Sequence, residues 1–449
     1  MTGRADHWTE PRPSGSDYVT DRKSWCGDLN RATILAGNMR TILALACCIT
    51  LTAADLAQWR RLEEKQRTFD MRDLLDQPSD NSVEVQLYRA VTTSRFGREG
   101  EAISQFRTFL ATHPAPEMER KARFELANAL SRLGKCDEAA NELAEALRLT
   151  PSGEPGRANG ENALVILRSL TDAAPQRVEF GPPAPIQARR NEPGLWVVPV
   201  EINSQRGEWI LDTGASLSTV TESEAHRMGL AVRELHAYGI GFTGTKNPIR
   251  LGVANQLRLG SARFHNVVFF VVADEALRIS PLKDPIHGIL GMPLIRTLGC
   301  VDVSAEGLLT LGCGAKPPQG RPNLFFDGLA PIVQVIHLGH SLQMALDTGS
   351  HSTVFYPSIR DALAQWELYQ LTSAGDARFS GAGGSAQVRA STVPSIQLEI
   401  LGRTVYVQGS KMLNQAPPGD GGLRDGVLGI DALSSGFRLD FRSMQFSLK

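Results

Sequence analysis

The chain has 449 residues, of which 42% are hydrophobic and 21% are charged, an ordinary globular composition with enough residues for about two or three cores. This composition excludes a disordered or fibrous chain. The formal net charge of −1 gives no strong field that would draw the protein to nucleic acid or to an anionic membrane surface. Partners must therefore be inferred from individual sites.

Residues 1–38 are polar and are predicted to be a non-structured or mis-assigned extension. Residues 39–54 have the order of an export signal, with one positive charge, an apolar run and then small residues. The run from Thr41 to Ala54 counts 14 residues, fewer than the roughly 20 that a membrane-spanning helix needs. We therefore expect an exported protein, periplasmic or extracellular, that is anchored to a membrane only if this segment is retained. Translation is expected to start at Met39, and a lipid-modified Cys47 is a weaker alternative.

Residues 55–151 are predicted to be α-helical because Ala-rich apolar positions recur at spacings of three and four. Two copies overlay with a period of 37 residues, placing Ala102, Phe106 and Pro114 on Ala139, Leu143 and Pro151, with Gly97 and Gly134 in front. This pattern resembles the tetratricopeptide repeat, a pair of helices in about 34 residues. Two repeats are fewer than the three that such arrays usually need for stability on their own. The region is interpreted as an accessory, either a platform for a peptide or protein partner or a packing domain without a ligand.

Residues 152–194 are rich in Pro, Gly, Asn and Arg, which is typical of a linker, with one helix predicted over residues 162–171. From Leu195 onwards short runs of Val, Ile, Leu and Phe alternate with Gly, Asn and Pro. This pattern predicts β-structure to the end of the chain.

One constellation of residues occurs twice in this β region. An apolar strand leads into Asp212-Thr213-Gly214-Ala215 in the first copy and into Asp347-Thr348-Gly349-Ser350 in the second. A polar cluster follows each turn, Ser218-Thr219-Val220 or Ser352-Thr353-Val354, and about 80 residues after each Asp an apolar pair precedes glycine, Leu290-Gly291 or Leu428-Gly429. A lone Asp-Thr-Gly is a common turn, but two copies in the same register are hard to reach by chance.

The two copies resemble the retroviral-type aspartic proteases, and the resemblance covers a little over half of the chain. It implies two lobes, 195–316 and 317–449, which together resemble the pepsin arrangement built from units of retroviral size. The expected fold is multidomain and mainly β, with two pseudo-symmetric retropepsin-like β-barrel lobes plus an N-terminal α-helical repeat domain. The expected activity is that of an aspartic endopeptidase acting on a peptide or protein substrate.

The resemblance also assigns roles to individual residues. Asp212 and Asp347 are the expected catalytic pair, and Thr213 and Thr348 are expected to cross-brace the two turns. The turns are completed by Gly214, Ala215, Gly349 and Ser350, and Leu290, Gly291, Leu428 and Gly429 are expected in strands beneath the site. Two glycine-rich stretches are expected to be either flaps that cover the site or plain loops. They are Gly241, Phe242, Thr243 and Gly244, and Ser380, Gly381 and Ala382.

Two carboxyl groups that share one proton supply both the base and the acid that hydrolysis of a peptide bond by water requires. No metal or other cofactor is expected for this chemistry. A hydroxyl on Ser350, where the first copy has Ala215, is expected to donate a hydrogen bond to Asp347. Asp347 would then ionise more readily, and Asp212 would carry the shared proton.

Three questions remain open at this stage. Cys300 and Cys313 flank a predicted hairpin and would be bonded only in an oxidising compartment. The lobes either cleave a peptide or bind a peptide or partner without cleaving it, since a fold does not guarantee chemistry. The carboxyl pair forms either within one chain or only in a dimer.

Overall fold

The computed structural model describes residues 56–77, 82–241, 244–279, 285–314, 320–372, 374–382, 384–417 and 422–449. All of them belong to the unit Thr52–Lys449. The segments 1–38 and 39–54, predicted to be an extension and an export signal, lie outside the described residues. Within the described ranges, no helix combines the length and the apolar character needed to cross a membrane.

Helices make up the first part of the described chain. They are α1 (56–64), α2 (Thr68–Arg72), α3 (Val83–Arg95), α4 (Glu99–Leu110), α5 (Pro116–Arg132), α6 (Cys136–Arg148) and α7 (Arg157–Ser169). Gly97, between α3 and α4, and Gly134, between α5 and α6, have φ values of 76° and 71°, which glycine adopts without strain. The two overlaid copies thus correspond to two helix pairs with a glycine turn. Their identity as tetratricopeptide units stays a prediction.

Strands dominate from residue 177 onwards. They are β1 (Arg177–Phe180), β2 (Ile186–Gln187), β3 (Arg189–Arg190), β4 (Trp196–Ile202), β5 (Gln205–Leu211), β6 (Ser218–Thr221), β7 (Ala231–Ile240), β8 (Lys246–Leu259), β9 (Ala262–Val272), β10 (Gly288–Leu290), β11 (Cys300–Ser304), β12 (Leu308–Leu311), β13 (Leu324–Asp327), β14 (Ala330–His337), β15 (His340–Leu346), β16 (Val354–Phe355), β17 (Gly375–Gly381), β18 (Gly384–Ile400), β19 (Arg403–Leu413), β20 (Gly426–Leu428), β21 (Gly436–Asp440) and β22 (Gln445–Leu448). Short helices between them are α8 (Glu222–Arg227), α9 (Met292–Thr297) and α10 (Gln365–Gln370).

The strand pairings close into two rings with the same connectivity. In the first ring β4, β5, β10, β6, β9 and β8 pair in that order, and β8 pairs again with β4. In the second ring β14, β15, β20, β16, β19 and β18 pair in the corresponding order, and β18 pairs again with β14. Asp212 directly follows β5, and Asp347 directly follows the equivalent strand β15. The structure is therefore mainly β, as the sequence predicts, with helices at its N-terminal side.

A third sheet joins the two rings to each other. Its strand order is β2, β12, β11, β21 and β22. It combines β2, which precedes the first ring, with β11 and β12, which follow the first ring, and β21 and β22, which follow the second. Cys300 and Cys313 form a disulfide beside β11 and β12, with Cα atoms 5.4 Å apart. The pairing that the sequence left open is therefore present.

The segment predicted as a linker, residues 152–194, contains more structure than its composition indicates. Its helix, α7, begins at Arg157, five residues before the predicted start at residue 162. β1, β2 and β3 also lie in this segment, and they pair with β9, β12 and β4 respectively. Strands of two to four residues are too short to show the alternation by which a strand is predicted.

The helical region packs against elements that flank the two rings. Phe69 of α2 lies edge-on against Phe325 of β13, with ring centroids 5.0 Å apart. Buried Glu99 of α4 accepts hydrogen bonds from Arg132 of α5 at 3.0 Å and from Arg296 of α9 at 2.7 Å. These contacts make the helices a structural part of the β unit, because a buried carboxylate without its cations would be costly.

Candidate active site

Each Asp-Thr-Gly turn is held by a strand that runs parallel to the strand before it. β10 pairs in parallel with β5, and the Asp212 N–H donates to the Leu290 carbonyl at 3.0 Å. β20 pairs in parallel with β15, and the Asp347 N–H donates to the Leu428 carbonyl at 3.1 Å. Leu290 and Leu428 thus lie in the supporting strands.

Gly291 and Gly429 lie one residue beyond these strands rather than within them. A Cβ atom at Gly291 would be 2.5 Å from the carbonyl carbon of Leu217, and a Cβ at Gly429 would be 2.5 Å from that of Ser352. Any side chain here would push the loop after the Asp out of place, since real Cβ contacts of this length do not occur.

The polar cluster after each turn has a role that the sequence did not reveal. Ser218 Oγ accepts the Gly291 N–H at 3.0 Å, and Thr353 Oγ1 accepts the Gly429 N–H at 3.2 Å. The overlay from sequence placed Ser218 on Ser352, whereas the structural equivalent of Ser218 is Thr353. A signal was present, because both residues lie six positions after their Asp (218 minus 212 and 353 minus 347).

The two turns are joined by reciprocal hydrogen bonds between their threonines. The Thr213 N–H donates to Thr348 Oγ1, and the Thr348 N–H donates to Thr213 Oγ1, both at 3.0 Å. Each hydroxyl also donates at 2.7 Å to a carbonyl of the opposite strand, Thr213 to Leu346 and Thr348 to Leu211. Both threonines are buried. Together these bonds, which we call the threonine cross-brace, fix one turn against the other.

The cross-brace brings Asp212 and Asp347 together. A Cβ atom at Gly214 would lie 2.5 Å from Asp347 Cγ, and one at Gly349 would meet Asp212 Cγ in the same way. Glycine is therefore required in both turns, because each carboxyl lies directly against the backbone of the opposite turn. Asp212 Oδ1 accepts the Gly214 N–H at 2.8 Å, and Asp347 Oδ1 accepts the Gly349 N–H at 2.9 Å.

Burial and mutual repulsion shift the titration of this pair. Burial raises the pKa of Asp212, and the neighbouring charge of Asp347 together with a hydrogen bond to it raises that pKa well above its ordinary value. Burial also raises the pKa of Asp347, which the hydrogen bond from Asp212 and the N–H groups of Gly349 and Ser350 partly offset. Both pKa shifts are upward, so the pair as a whole holds one shared proton readily.

The cause that the sequence suggested for an asymmetry between the two carboxyls is wrong. The Ser350 hydroxyl donates to the Ser352 carbonyl at 2.9 Å rather than to Asp347. Since a hydroxyl has a single proton, it is already committed within its own loop. Ala215 and Ser350 instead have matching backbone roles, because their carbonyls accept the N–H groups of Met292 and Ile430, each at 2.9 Å.

The glycine-rich stretches lie at the tips of two hairpins. Gly241 and Gly244 belong to the turn between β7 and β8, whereas Phe242 and Thr243 lie outside the described residues. Ser380 and Gly381 end β17, and Ala382 begins the turn into β18. β7 and β17 are the last strands of their sheets in the corresponding order. A covering role for these hairpins stays a prediction.

Comparisons with known proteins return one family model and similar solved structures. A family model described as aspartyl protease matches residues 198–294, which include Asp212 and Gly291. Among solved structures, a retropepsin-like aspartic protease from Rickettsia conorii is 23% identical, with 30% of this chain and 92% of that chain covered and a TM-score of 0.22. No curated protein matches the chain. The family match supports an aspartic protease. It contains only the first Asp-Thr-Gly turn, so the equivalence of the second copy rests on the geometry described above.

Thr348→Val tests how much the cross-brace stabilises the protein. The isosteric change removes the acceptor for the Thr213 N–H and the donor to the Leu211 carbonyl, which leaves two buried polar groups without partners. We expect the free energy of unfolding to fall by about 2–4 kcal/mol, measured by chemical denaturation.

Thr219→Val is the matched control for this change. The Thr219 hydroxyl is half-buried and donates to the Leu217 carbonyl in its own loop at 3.3 Å. Its loss should cost less than about 1 kcal/mol. Equal effects of the two substitutions would show that the cross-brace contributes nothing special to stability.

Proposed function

We propose that this chain is an aspartic endopeptidase in which two retropepsin-like lobes, 195–316 and 317–449, each contribute one carboxyl to a single site. The observation that carries this proposal is the threonine cross-brace, which joins Asp212 and Asp347 within one polypeptide. The matching ring connectivity around the two residues supports the same conclusion.

The proposed mechanism uses the single proton that the pair shares. The ionised carboxyl removes a proton from a water molecule that attacks the carbonyl carbon of the substrate peptide bond. The protonated carboxyl donates to the carbonyl oxygen, and a proton then passes to the leaving amine as the tetrahedral intermediate collapses. The backbone N–H groups that hold Oδ1 of each carboxyl keep both groups oriented for these transfers.

Two other functions fit the same fold. A protein that binds a peptide without cleaving it would have no need for two acidic groups that repel each other, and such a pair is costly to keep. A site formed between two chains would leave the threonines of one chain free to brace a partner chain, whereas here they brace each other. Both observations favour the intramolecular peptidase.

Asp212→Asn and Asp347→Asn should each abolish hydrolysis of a mixed peptide library, because each removes one of the two groups that exchange protons with the substrate. We expect a loss of at least about a thousandfold in kcat/KM. Asp172→Asn is the control, since this aspartate lies exposed in the described structure and should leave activity unchanged. Full activity in either site variant would refute the shared dyad, and loss of wild-type specific activity on dilution would favour the dimer.

The same assay gives a pH dependence with a defined sign. Activity should rise with pH as the pair loses its first proton, and burial, which raises the pKa of both carboxyls, places this step above the usual aspartate pKa of about 3.9. It should fall again at higher pH as the pair loses its second proton, which the charge of the first carboxylate helps to hold. We therefore expect a bell-shaped profile between about pH 4 and 7.

We also propose that the protein is exported, as residues 39–54 predict. The Cys300–Cys313 disulfide supports an oxidising compartment. In fractionated cells of the natural host, these two thiols should resist alkylation until they are reduced, and the protein should be recovered outside the cytoplasm. Recovery of peptides from residues 1–38 in a cytoplasmic form with both thiols free would refute export.

A further inference from the structure

Helix α7 has two faces that pack against different parts of the molecule. On one face Ala163, Leu164 and Leu167 pack against Leu143 and Leu147 of α6 and Ala127 of α5. Gly160 lies on this face, and a Cβ there would be 2.9 Å from Leu147 Cδ2, so glycine allows the helices to approach closely. The other face, which carries Asn162 and Ile166, is directed at the first ring and its outer hairpin.

Asn162 forms two hydrogen bonds with one residue of the outer strand β7. Its Nδ2 donates to the Tyr238 carbonyl at 2.8 Å, and its Oδ1 accepts the Tyr238 N–H at 2.9 Å. The two bonds define the orientation of the amide, because the carbonyl needs a donor and the N–H needs an acceptor. The Tyr238 hydroxyl also donates to the Ala158 carbonyl at 3.3 Å.

These bonds occupy the free edge of the hairpin. β7 is the last strand of its sheet, so the groups of Tyr238 that point away from β8 have no strand to pair with. An unpaired strand edge is where another extended chain adds by backbone hydrogen bonds. Asn162 fills one such position with a side chain and fixes the strand there.

Ile166, one turn further along α7, packs against an apolar cluster. The cluster contains Ile210, two residues before Asp212, and Ala237, which lies beside Tyr238 in β7. Ala215, three residues after Asp212, packs against the same cluster. One helix face thus contacts the outer hairpin and an apolar cluster that includes a residue close to Asp212 in the chain, while the opposite face packs against α5 and α6.

We propose that α7 is a brace for the proposed peptidase site, with Asn162 as a positioning residue that holds β7 where the hairpin forms one wall of the substrate cleft. Through α7 the helical region is coupled to substrate binding, so it is more than an accessory. The inference rests on the proposed function, since a cleft wall has a role only if peptide binds. The second hairpin serves as the internal reference, because its outer strand β17 pairs with β18 as β7 pairs with β8.

Asn162→Ala tests the brace by two independent measurements on the full chain. Hydrogen exchange of the Tyr238 amide should become at least about tenfold faster, because two hydrogen bonds are lost. Exchange in Gly375–Gly381 of the second hairpin should not change. With the peptide library, KM should rise about five- to tenfold while kcat stays within about twofold, since the carboxyl pair itself is untouched.

Asn141→Ala is the matched control, because it is the same Asn-to-Ala substitution at an exposed position of α6. It should alter neither exchange nor kinetics. Unchanged exchange at Tyr238 in Asn162→Ala would overturn the brace whatever the activity. Faster exchange with unchanged KM, or a higher kcat/KM, would overturn the positioning role while the peptidase stands. A wild type that cleaves no peptide would overturn the proposed function and the positioning role together, whereas exchange would still decide whether α7 holds the hairpin.

Discussion

The threonine cross-brace is the interaction on which the rest of the site depends. Two aspartates side by side in a partly buried site repel each other once both ionise, so the fold must hold them together against that repulsion. The buried hydrogen bonds of Thr213 and Thr348 supply this restraint, since each bond links one ring to the other. Their loss would leave unpaired polar groups in the interior, which makes separation of the two turns costly.

The glycines complete the restraint from the other side. Gly214 and Gly349 let each carboxyl lie against the opposite backbone, and Gly291 and Gly429 let the loops after each Asp pass close to the supporting strands. The N–H groups of Gly291 and Gly429 donate hydrogen bonds to the hydroxyl oxygens of Ser218 and Thr353. The site therefore depends on the close approach of these backbone segments as much as on the two carboxyl groups.

Sequence alone predicted the mainly β class and the repeated Asp-Thr-Gly turns, because a local motif that recurs in register with the same apolar neighbours is visible without coordinates. It did not predict which hydroxyl contacts which backbone group. Ser350 bonds within its own loop, and the equivalent of Ser218 lies one residue from the position that the overlay gave. The Ser350 contact depends on loop geometry that residue type does not encode, whereas the equivalence of Ser218 and Thr353 follows from their equal spacing from the two aspartates.

Contacts between distant segments were also beyond the sequence. Composition predicted a linker with one helix where α7 and three short strands lie, because the segment is rich in Pro and Gly and two of the strands, β1 and β2, pair with residues far along the chain. The bonds of Asn162 to Tyr238 join residues separated by 76 positions, and nothing in either local pattern indicates the partner. The helices and the two rings consequently form a more continuous structure than a division into domains suggests.

The central claim is that Asp212 and Asp347 titrate as one coupled pair. The most direct test is a carbon-13 NMR titration of the Asp212 carboxyl in the wild type and in Asp347→Asn, a variant that keeps the shape of the site but removes its neighbouring charge. The account predicts that the pKa of Asp212 falls in the variant, because burial remains while the repulsion is gone. An Asp212 pKa that is the same in both proteins would contradict it.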